Sequence, residues 1–222
     1  MKMRLPGFDQ ELVWTSTQHV NELIVENSQF FRRIIQDFYQ HEDDGSGISL
    51  IDQGQALDFA SDIETVINPT QLDFNNRRVT LNFFKLLTQA SLNENNYLPT
   101  QELKATLASY LVDLVESTQI NFQIGTDDFA LTQLAKAVNL HLISDENFLT
   151  RLIEYQEVMR ELGKVKLTVW INLRSFLTNE QLQQLLAANN ERELNALLLE
   201  STPRQPIRSL PRMIIDKQLC QI

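Results

Sequence analysis

The sequence is poor in the residues on which several common kinds of site depend. Its 222 residues include one cysteine, six glycines and three histidines. Because Cys220 stands alone, an intramolecular disulfide framework and a cysteine-based zinc site are both excluded. The single Gly-Lys pair, Gly163-Lys164, leaves a predicted helix and enters a predicted strand. A phosphate-binding loop runs in the opposite direction, from strand to helix, so this pair does not form one.

Long apolar runs are missing as well. No stretch approaches the roughly 20 residues that are needed to cross a bilayer. The opening residues, MKMRLPGFDQELVW, also lack the apolar core of a signal peptide. The sequence therefore predicts a cytoplasmic protein with no membrane partner.

The residues of hydrolytic and metal-dependent catalysis do not form a recognisable set. His19, His41 and His141 are far apart, and none belongs to an HExxH pattern. Ser175 is not part of a GxSxG nucleophile elbow. Since no nucleophile, base and oxyanion donor occur at a known spacing, we expect that the protein is not an enzyme.

Positive charge is scarce. The chain has 19 lysines and arginines against 29 aspartates and glutamates, for a net charge of −10. A generic nucleic-acid-binding protein normally shows a basic face. Nucleic-acid binding therefore requires either a local basic surface on an acidic protein or a divalent cation that neutralises carboxylates near the phosphates.

The C-terminal third has the clearest periodicity. Strands are predicted at Leu140–Ser144, Val165–Leu173 and Glu193–Thr202. Helices are predicted between them at Glu146–Leu162 and Thr178–Asn190, the second of which opens with a capping-box pattern. Short links between alternating strands and helices predict parallel strands joined by right-handed crossovers.

The N-terminal part is expected to add to the same layer. Short strands are predicted at Met3–Leu5, Leu12–Thr15 and Ile48–Asp52, and Asn27 or Ser28 is expected to cap an amphipathic helix.

The middle of the chain is almost wholly helical in its periodicity. Helices are predicted at Arg77–Leu92, Thr100–Glu116 and Asp127–Asn139, each with one apolar face. The predicted fold class is α/β: a head domain (residues 1–67 and 139–222) with a mainly parallel sheet, and an inserted α-helical arm domain (residues 68–138).

Three acidic residues flank the predicted hinge between two arm helices. Glu116, Asp127 and Asp128 could supply oxygen ligands for calcium. The alternative is that Asp127 and Asp128 favour a helix N-terminus through the helix dipole.

Several basic residues occur on predicted helices of the arm and the adjoining head. On a shared face they would follow a phosphate backbone rather than read bases, and singly they would be ordinary surface residues. The candidates are Arg77, Arg78, Lys85, Lys136 and Arg151.

Five segments, in order along the chain, carry a resemblance. They are ENSQFFRRIIQDFYQ (Glu26–Gln40), VINPTQLDFNNRRV (Val66–Val79), LAKAVNLHL (Leu134–Leu142), VWINLRSFLTNEQLQQL (Val169–Leu185) and IIDKQLCQI (Ile214–Ile222). Together they make the whole chain resemble the short form of the CRISPR-associated Csn2 family, the spacer-acquisition proteins of type II-A systems.

The resemblance implies a sheet like that of P-loop ATPases, without the ATPase motifs, and a helical arm. It also implies a homotetrameric ring, similar to a sliding clamp, that takes linear double-stranded DNA through a basic channel without sequence specificity. Ca²⁺ would set the arm, and the partners would be the CRISPR integrase pair and the RNA-guided effector nuclease. An acidic exterior around inward-facing cations repeated fourfold would account for the net charge.

Two other functions stay open on the residues alone. A degenerate nucleotide-binding ATPase would use the strand ends at Ser144, Asn172 and Glu200. A protein scaffold for the adaptation complex would need none of these residues. In the leading hypothesis Asn172, Arg174 and Ser175 fix the fold of the head or a subunit contact instead of holding a substrate.

Overall fold

A computed structural model describes residues 1–40, 47–118 and 131–222. The chain divides into two compact units. The first comprises Met1–Phe74 and Ser144–Ile222, and the second comprises Asn75–Ile143. The boundaries expected from the sequence, after residues 67 and 138, lie a few residues upstream of these.

The first unit is built on a parallel sheet of five strands. In spatial order these are β6 (Ile63–Val66), β7 (Leu167–Ile171), β8 (Ala196–Glu200), β3 (Val20–Val25) and β9 (Arg212–Ile215). All four pairings are parallel, as in Leu23 opposite Leu199 and Met213. The prediction of a mixed α/β fold with a parallel sheet is confirmed.

The N-terminal strands do not join this layer, contrary to the prediction. The strands β1 (Lys2–Arg4), β2 (Glu11–Val13), β4 (Ser49–Asp52) and β5 (Gln55–Ala56) form a separate antiparallel sheet in the order β2-β1-β4-β5. Alternating burial, and the short connections from β1 to β2 and from β4 to β5, favour antiparallel pairing over parallel crossovers here.

The prediction of a strand at Leu140–Ser144 is wrong. These residues have no regular secondary structure, and β6 is the neighbour of β7 on that side, with Ile63 opposite Leu167. A short apolar run does not by itself distinguish a strand from an irregular segment.

The helices of the first unit are α1 (Ser28–Gln40), the single turn α2 (Phe59–Asp62), α6 (Phe148–Glu161) and α7 (Asn179–Glu191). The predicted helices at Glu146–Leu162 and Thr178–Asn190 are confirmed by α6 and α7. The capping box is also confirmed, since the Thr178 side chain accepts from the Gln181 backbone N–H and the Gln181 side chain accepts from Thr178.

The main core lies between the two sheets and α1. Met3 and Leu50 of the antiparallel sheet belong to one buried cluster with Leu23 and Val25 of β3 and Phe38 of α1. Residues of opposite parity on the parallel strands face α6 and α7 instead, where the rings of Tyr155 and Trp170 are in contact.

The second unit contains the helices α3 (Arg77–Ser91), α4 (Tyr97–Glu116) and α5 (Leu131–Ala137). The helix α3 buries Val79 and Phe84, and α5 packs on it through Ala135. None of the residues of α4 is buried. In the part of the chain that the structure describes, no helix has the length and hydropathy to cross a membrane.

Candidate nucleic-acid interface

The helices α3 and α5 are basic in an acidic chain. The fifteen residues of α3, RRVTLNFFKLLTQAS, include three cations and no carboxylate. The residues of α5, LTQLAKA, include one lysine and no carboxylate. Because the whole chain has a net charge of −10, positive charge is concentrated here. We call the cations of these two helices (Arg77, Arg78, Lys85 and Lys136), with Leu81 between Arg77 and Lys85, the α3–α5 face.

On α3 the predicted phosphate contacts lie along one exposed stripe. Arg77 and Lys85 are exposed, and Leu81 lies between them at the i+4 spacing that puts residues on one side of a helix. Arg77 and Lys85 are eight residues apart, which corresponds to about 12 Å along the helix axis. Arg78, beside Arg77, is half-buried.

Neither end of this stripe is neutralised by a neighbour. Among the described residues, Arg77 and Lys85 form no ion pair or side-chain hydrogen bond. Their charges therefore face solvent and are available to an anion.

Lys136 is brought to α3 by the packing of α5. Its Nζ lies 5.5 Å from the centroid of the Phe84 ring, within the range of a cation–π contact. Lys136 is exposed, so its ammonium group also reaches solvent. The structure thus places four of the five predicted basic residues within two packed helices.

Arg151 lies in the first unit, on α6. Its guanidinium carbon is 5.7 Å from the ring centroid of Phe148, and its Nε is buried without a hydrogen-bond partner among the described residues. This side chain is thus partly engaged by its own helix.

The predicted calcium ligands are described only in part. Glu116 is exposed at the last residue of α4, where the helix dipole favours a cation. Asp127 and Asp128 lie outside the described residues. Within the described ranges no three His, Cys, Asp or Glu residues are grouped to hold a metal ion. Glu116 alone does not fit the six to eight oxygen ligands of Ca²⁺.

The carboxyl ends of the parallel strands form a second candidate region, since ligands of open α/β sheets bind there. The connection from β3 to α1 consists of Glu26 and Asn27 alone. Asn27 Oδ1 accepts hydrogen bonds from the N–H groups of Gln29 (3.1 Å) and Phe30 (3.0 Å), and Asn27 Nδ2 donates to the Lys217 carbonyl. The helix N–H groups that would hold a phosphate are thereby occupied.

Asn172, directly after β7, binds Ser201, the first residue after β8. It adopts a left-handed conformation (φ 52°), and its Oδ1 accepts from both the N–H and the Oγ of Ser201 at 2.9 Å. Ser144, the third residue of the proposed strand-end site, is exposed and lies outside the sheet. Among the described residues, Ser144 forms no hydrogen bond with Asn172.

A buried ionic network lies under residues 201–211, which connect β8 to β9. Arg174 Nη1 is 2.6 Å from Glu22 Oε1, and both side chains are almost fully buried. Arg174 Nη2 donates to the Gln205 carbonyl at 2.8 Å, and Arg212 Nε is 3.3 Å from Glu22 Oε2. A helix would normally cover a sheet at such a crossover. Here arginine side chains anchor an irregular segment in its place.

Glu200, at the end of β8, is buried in the same network and accepts from the Arg174 backbone N–H at 3.0 Å. The pKa of its carboxyl is raised to about 7. Burial is the main cause, the Arg174 N–H opposes the shift, and the nearby Glu22 carboxylate adds to it. These contacts are between residues of the chain itself. They give Asn172, Arg174 and Glu200 structural roles. For Asn172 and Arg174 the leading hypothesis expects such a role.

Sequence reasoning did not identify Asn75 and Asn76 as structural residues. Asn76 caps α3, since its Oδ1 accepts from the Val79 N–H at 3.0 Å. Asn75 binds the backbone of Leu142. An asparagine directly before an apolar-periodic helix is a cap signal, so Asn76 could have been found; the partner of Asn75 could not.

The chain is similar to a described family, to one of its named relatives and, in fold, to a solved structure. A family model described as CRISPR-associated protein (Cas_Csn2) matches residues 40–219. CRISPR-associated protein Csn2 of Streptococcus agalactiae is 23% identical over 221 residues, which cover 98% of this chain and 95% of the relative. The crystal structure of Stu0660 of Streptococcus thermophilus shares the fold, with a TM-score of 0.58 at 11% identity. The match covers 97% of this chain and 74% of that chain.

Proposed function

Because the chain belongs to the Csn2 family of CRISPR-associated proteins, we propose that it is a non-catalytic protein that binds double-stranded DNA during the acquisition of new spacers. The contacts are made to the phosphate backbone and are independent of sequence. The observation that carries this proposal is the α3–α5 face, where three cations on α3 and one on α5 occur without a carboxylate on either helix.

The proposal includes assembly into a homotetrameric ring around linear DNA, in the cytoplasm, beside the CRISPR integrase pair and the RNA-guided effector nuclease. One α3–α5 face offers few phosphate contacts. Repetition around a ring multiplies them and raises the effective concentration of each face at the duplex. Arg151, on the first unit, would add a contact from the head.

The proposal also includes dependence on Ca²⁺. Glu116, Asp127 and Asp128 would hold the ion, with oxygen ligands of the kind that calcium prefers. Since Glu116 ends α4, binding there would act on the arm rather than on the parallel sheet.

The test is binding to duplex DNA of one length in linear and relaxed circular form, each with Ca²⁺ and with a chelator, measured by gel shift. We expect retention of the linear form in Ca²⁺ and little retention of the circle. Equal retention of both forms contradicts the ring, and binding that is unchanged by the chelator contradicts the calcium requirement.

A charge-reversal pair tests the interface itself. Arg77→Glu with Lys85→Glu should abolish retention, because both side chains face solvent without a partner among the described residues. Arg208→Glu, at an exposed position of the first unit, is the matched control and should bind as the unchanged protein does. If the double variant loses DNA binding yet supports spacer acquisition, the scaffold function is favoured.

The nucleotide-binding alternative has less support. We also propose that the parallel sheet is of the P-loop ATPase type. In such a sheet the phosphate loop would lie between β3 and α1. That connection is two residues long and its helix N–H groups are bound by Asn27. Calorimetry with ATP, with and without Mg²⁺, should show no binding heat; saturable binding would favour this alternative.

A further inference from the structure

Leu81 is a large apolar side chain that lies between two exposed cations. It is 55% exposed, four residues after Arg77 and four before Lys85, on the exposed stripe of α3. An isolated exposed leucine needs no explanation. This one lies between two cations on a helix that carries no acidic residue, so a molecule that binds both cations covers Leu81 as well.

The charge of the stripe selects the kind of molecule that covers it. Arg77 and Lys85 are about 12 Å apart along the helix axis, and each is exposed. A polyanion with regularly spaced charges can bind both at once. Duplex DNA is such a polyanion, and the deoxyribose groups between its phosphates present C–H surface.

We infer that Leu81 is a DNA-contact residue, which packs on the deoxyribose surface between the phosphates bound by Arg77 and Lys85. The inference rests on the proposed function and adds to it a contribution that is not ionic. Cation–phosphate contacts release counterions and weaken steeply with salt. Burial of apolar surface does not release counterions, so the Leu81 contribution should not depend on salt in this way.

The test measures both affinity and its salt dependence. Binding of linear duplex DNA is followed by fluorescence anisotropy over a series of NaCl concentrations in Ca²⁺. Leu81→Ala should weaken binding about threefold to tenfold at every salt concentration and leave the slope of log K against log salt unchanged. Lys85→Gln should lower the magnitude of that slope by about 0.9 for each Lys85 side chain of the ring that binds a phosphate.

Leu86→Ala is the matched control. Leu86 is on the same helix and is 53% exposed, but it projects about 140° around the axis from Leu81. This variant should bind DNA as the unchanged protein does. Light scattering of all three variants should give the mass of the unchanged protein.

The possible outcomes separate the inference from the proposed function. If Lys85→Gln changes the slope while Leu81→Ala binds normally, the Leu81 contact is wrong and the DNA interface stands. If Leu81→Ala and Leu86→Ala weaken binding equally, or Leu81→Ala changes the mass, Leu81 acts through folding or assembly and the inference is overturned. If none of the variants affects binding, the α3–α5 face is not the interface.

Discussion

The side-chain amide of Asn75 binds both backbone groups of Leu142. Its Oδ1 accepts from the Leu142 N–H at 2.8 Å, and its Nδ2 donates to the Leu142 carbonyl at 2.9 Å. The two residues are 67 positions apart, at the two places where the chain enters and leaves the helical unit. One amide therefore closes the unit that carries the α3–α5 face.

Replacing Asn75 should loosen the helical unit at its base. Asn75→Ala removes two hydrogen bonds and should lower the free energy of unfolding by about 1 to 2 kcal/mol. Hydrogen exchange at the Leu142 amide should rise more than exchange in the parallel sheet. Asn75→Asp keeps the acceptor for the Leu142 N–H and loses the donor. In this variant the exchange rate of the Leu142 amide should lie between the rates in the unchanged protein and in Asn75→Ala. Equal rates in all three proteins would contradict the assigned contact.

Loss of Glu22 should leave Arg174 buried beside an uncharged partner. Glu22→Gln is expected to cost about 3 to 5 kcal/mol of stability, because breaking one side of a buried ion pair leaves a desolvated charge. The measurement is urea unfolding at neutral pH.

The double variant Glu22→Gln with Arg174→Met is the control for this ion pair. Removal of the second charge should restore part of the lost stability. Strictly additive losses would show that the two side chains do not act as a pair.

The stability of the first unit should depend on pH through Glu200. The pKa of its carboxyl is raised from 4.5 to about 7 in the folded protein. A raised pKa means that the folded state binds the proton more tightly than the unfolded state. The contribution of this group is therefore fully present below pH 4.5 and lost as the pH rises through 7, a difference of about 3 kcal/mol.

Glu200→Gln should remove that dependence, since the amide can still accept from the Arg174 N–H and has no proton to lose. Thermal unfolding at pH 5 and pH 8 should differ less in this variant than in the unchanged protein. At pH 8 the variant should be the more stable of the two. A variant that is less stable at pH 8 would contradict the assigned burial of an ionising carboxyl.

Asn172 combines two separable roles, a left-handed backbone and a side-chain acceptor. Asn172→Gly keeps the backbone conformation but loses the two bonds to Ser201, for an expected cost of about 1 to 2 kcal/mol. Asn172→Ala loses the same bonds and adds backbone strain of about 1 kcal/mol. Unfolding midpoints should therefore fall in the order Asn, Gly, Ala; an alanine variant as stable as glycine would show that φ carries no cost here.

The helices flanking the parallel sheet could be predicted from sequence because their signals are local. The capping box at Thr178 and the apolar periodicity of Glu146–Leu162 depend on residues within a few turns of each other. The same holds for α3, whose start is marked by Asn76.

The inner strand β3 was not predicted, because its burial depends on a distant residue. VNELIV places Asn21 and Glu22 inside an apolar run, which argues against a buried strand. Glu22 is tolerated there because Arg174, 152 positions away, neutralises it. The lack of carboxylates on α3 was visible in the sequence, whereas the approach of Lys136 to Phe84 required tertiary structure.

The two-residue connection between β3 and α1 also limits how nucleotide binding could evolve in this chain. A loop that encloses a phosphate needs several residues with free backbone N–H groups. Here Asn27 fills that space and is itself held by the backbone of Lys217 near the C-terminus. No single substitution supplies the missing length. Nucleotide binding at this position could arise only by insertion of new residues together with displacement of the C-terminal segment, so point mutation alone does not reach that function from this sequence.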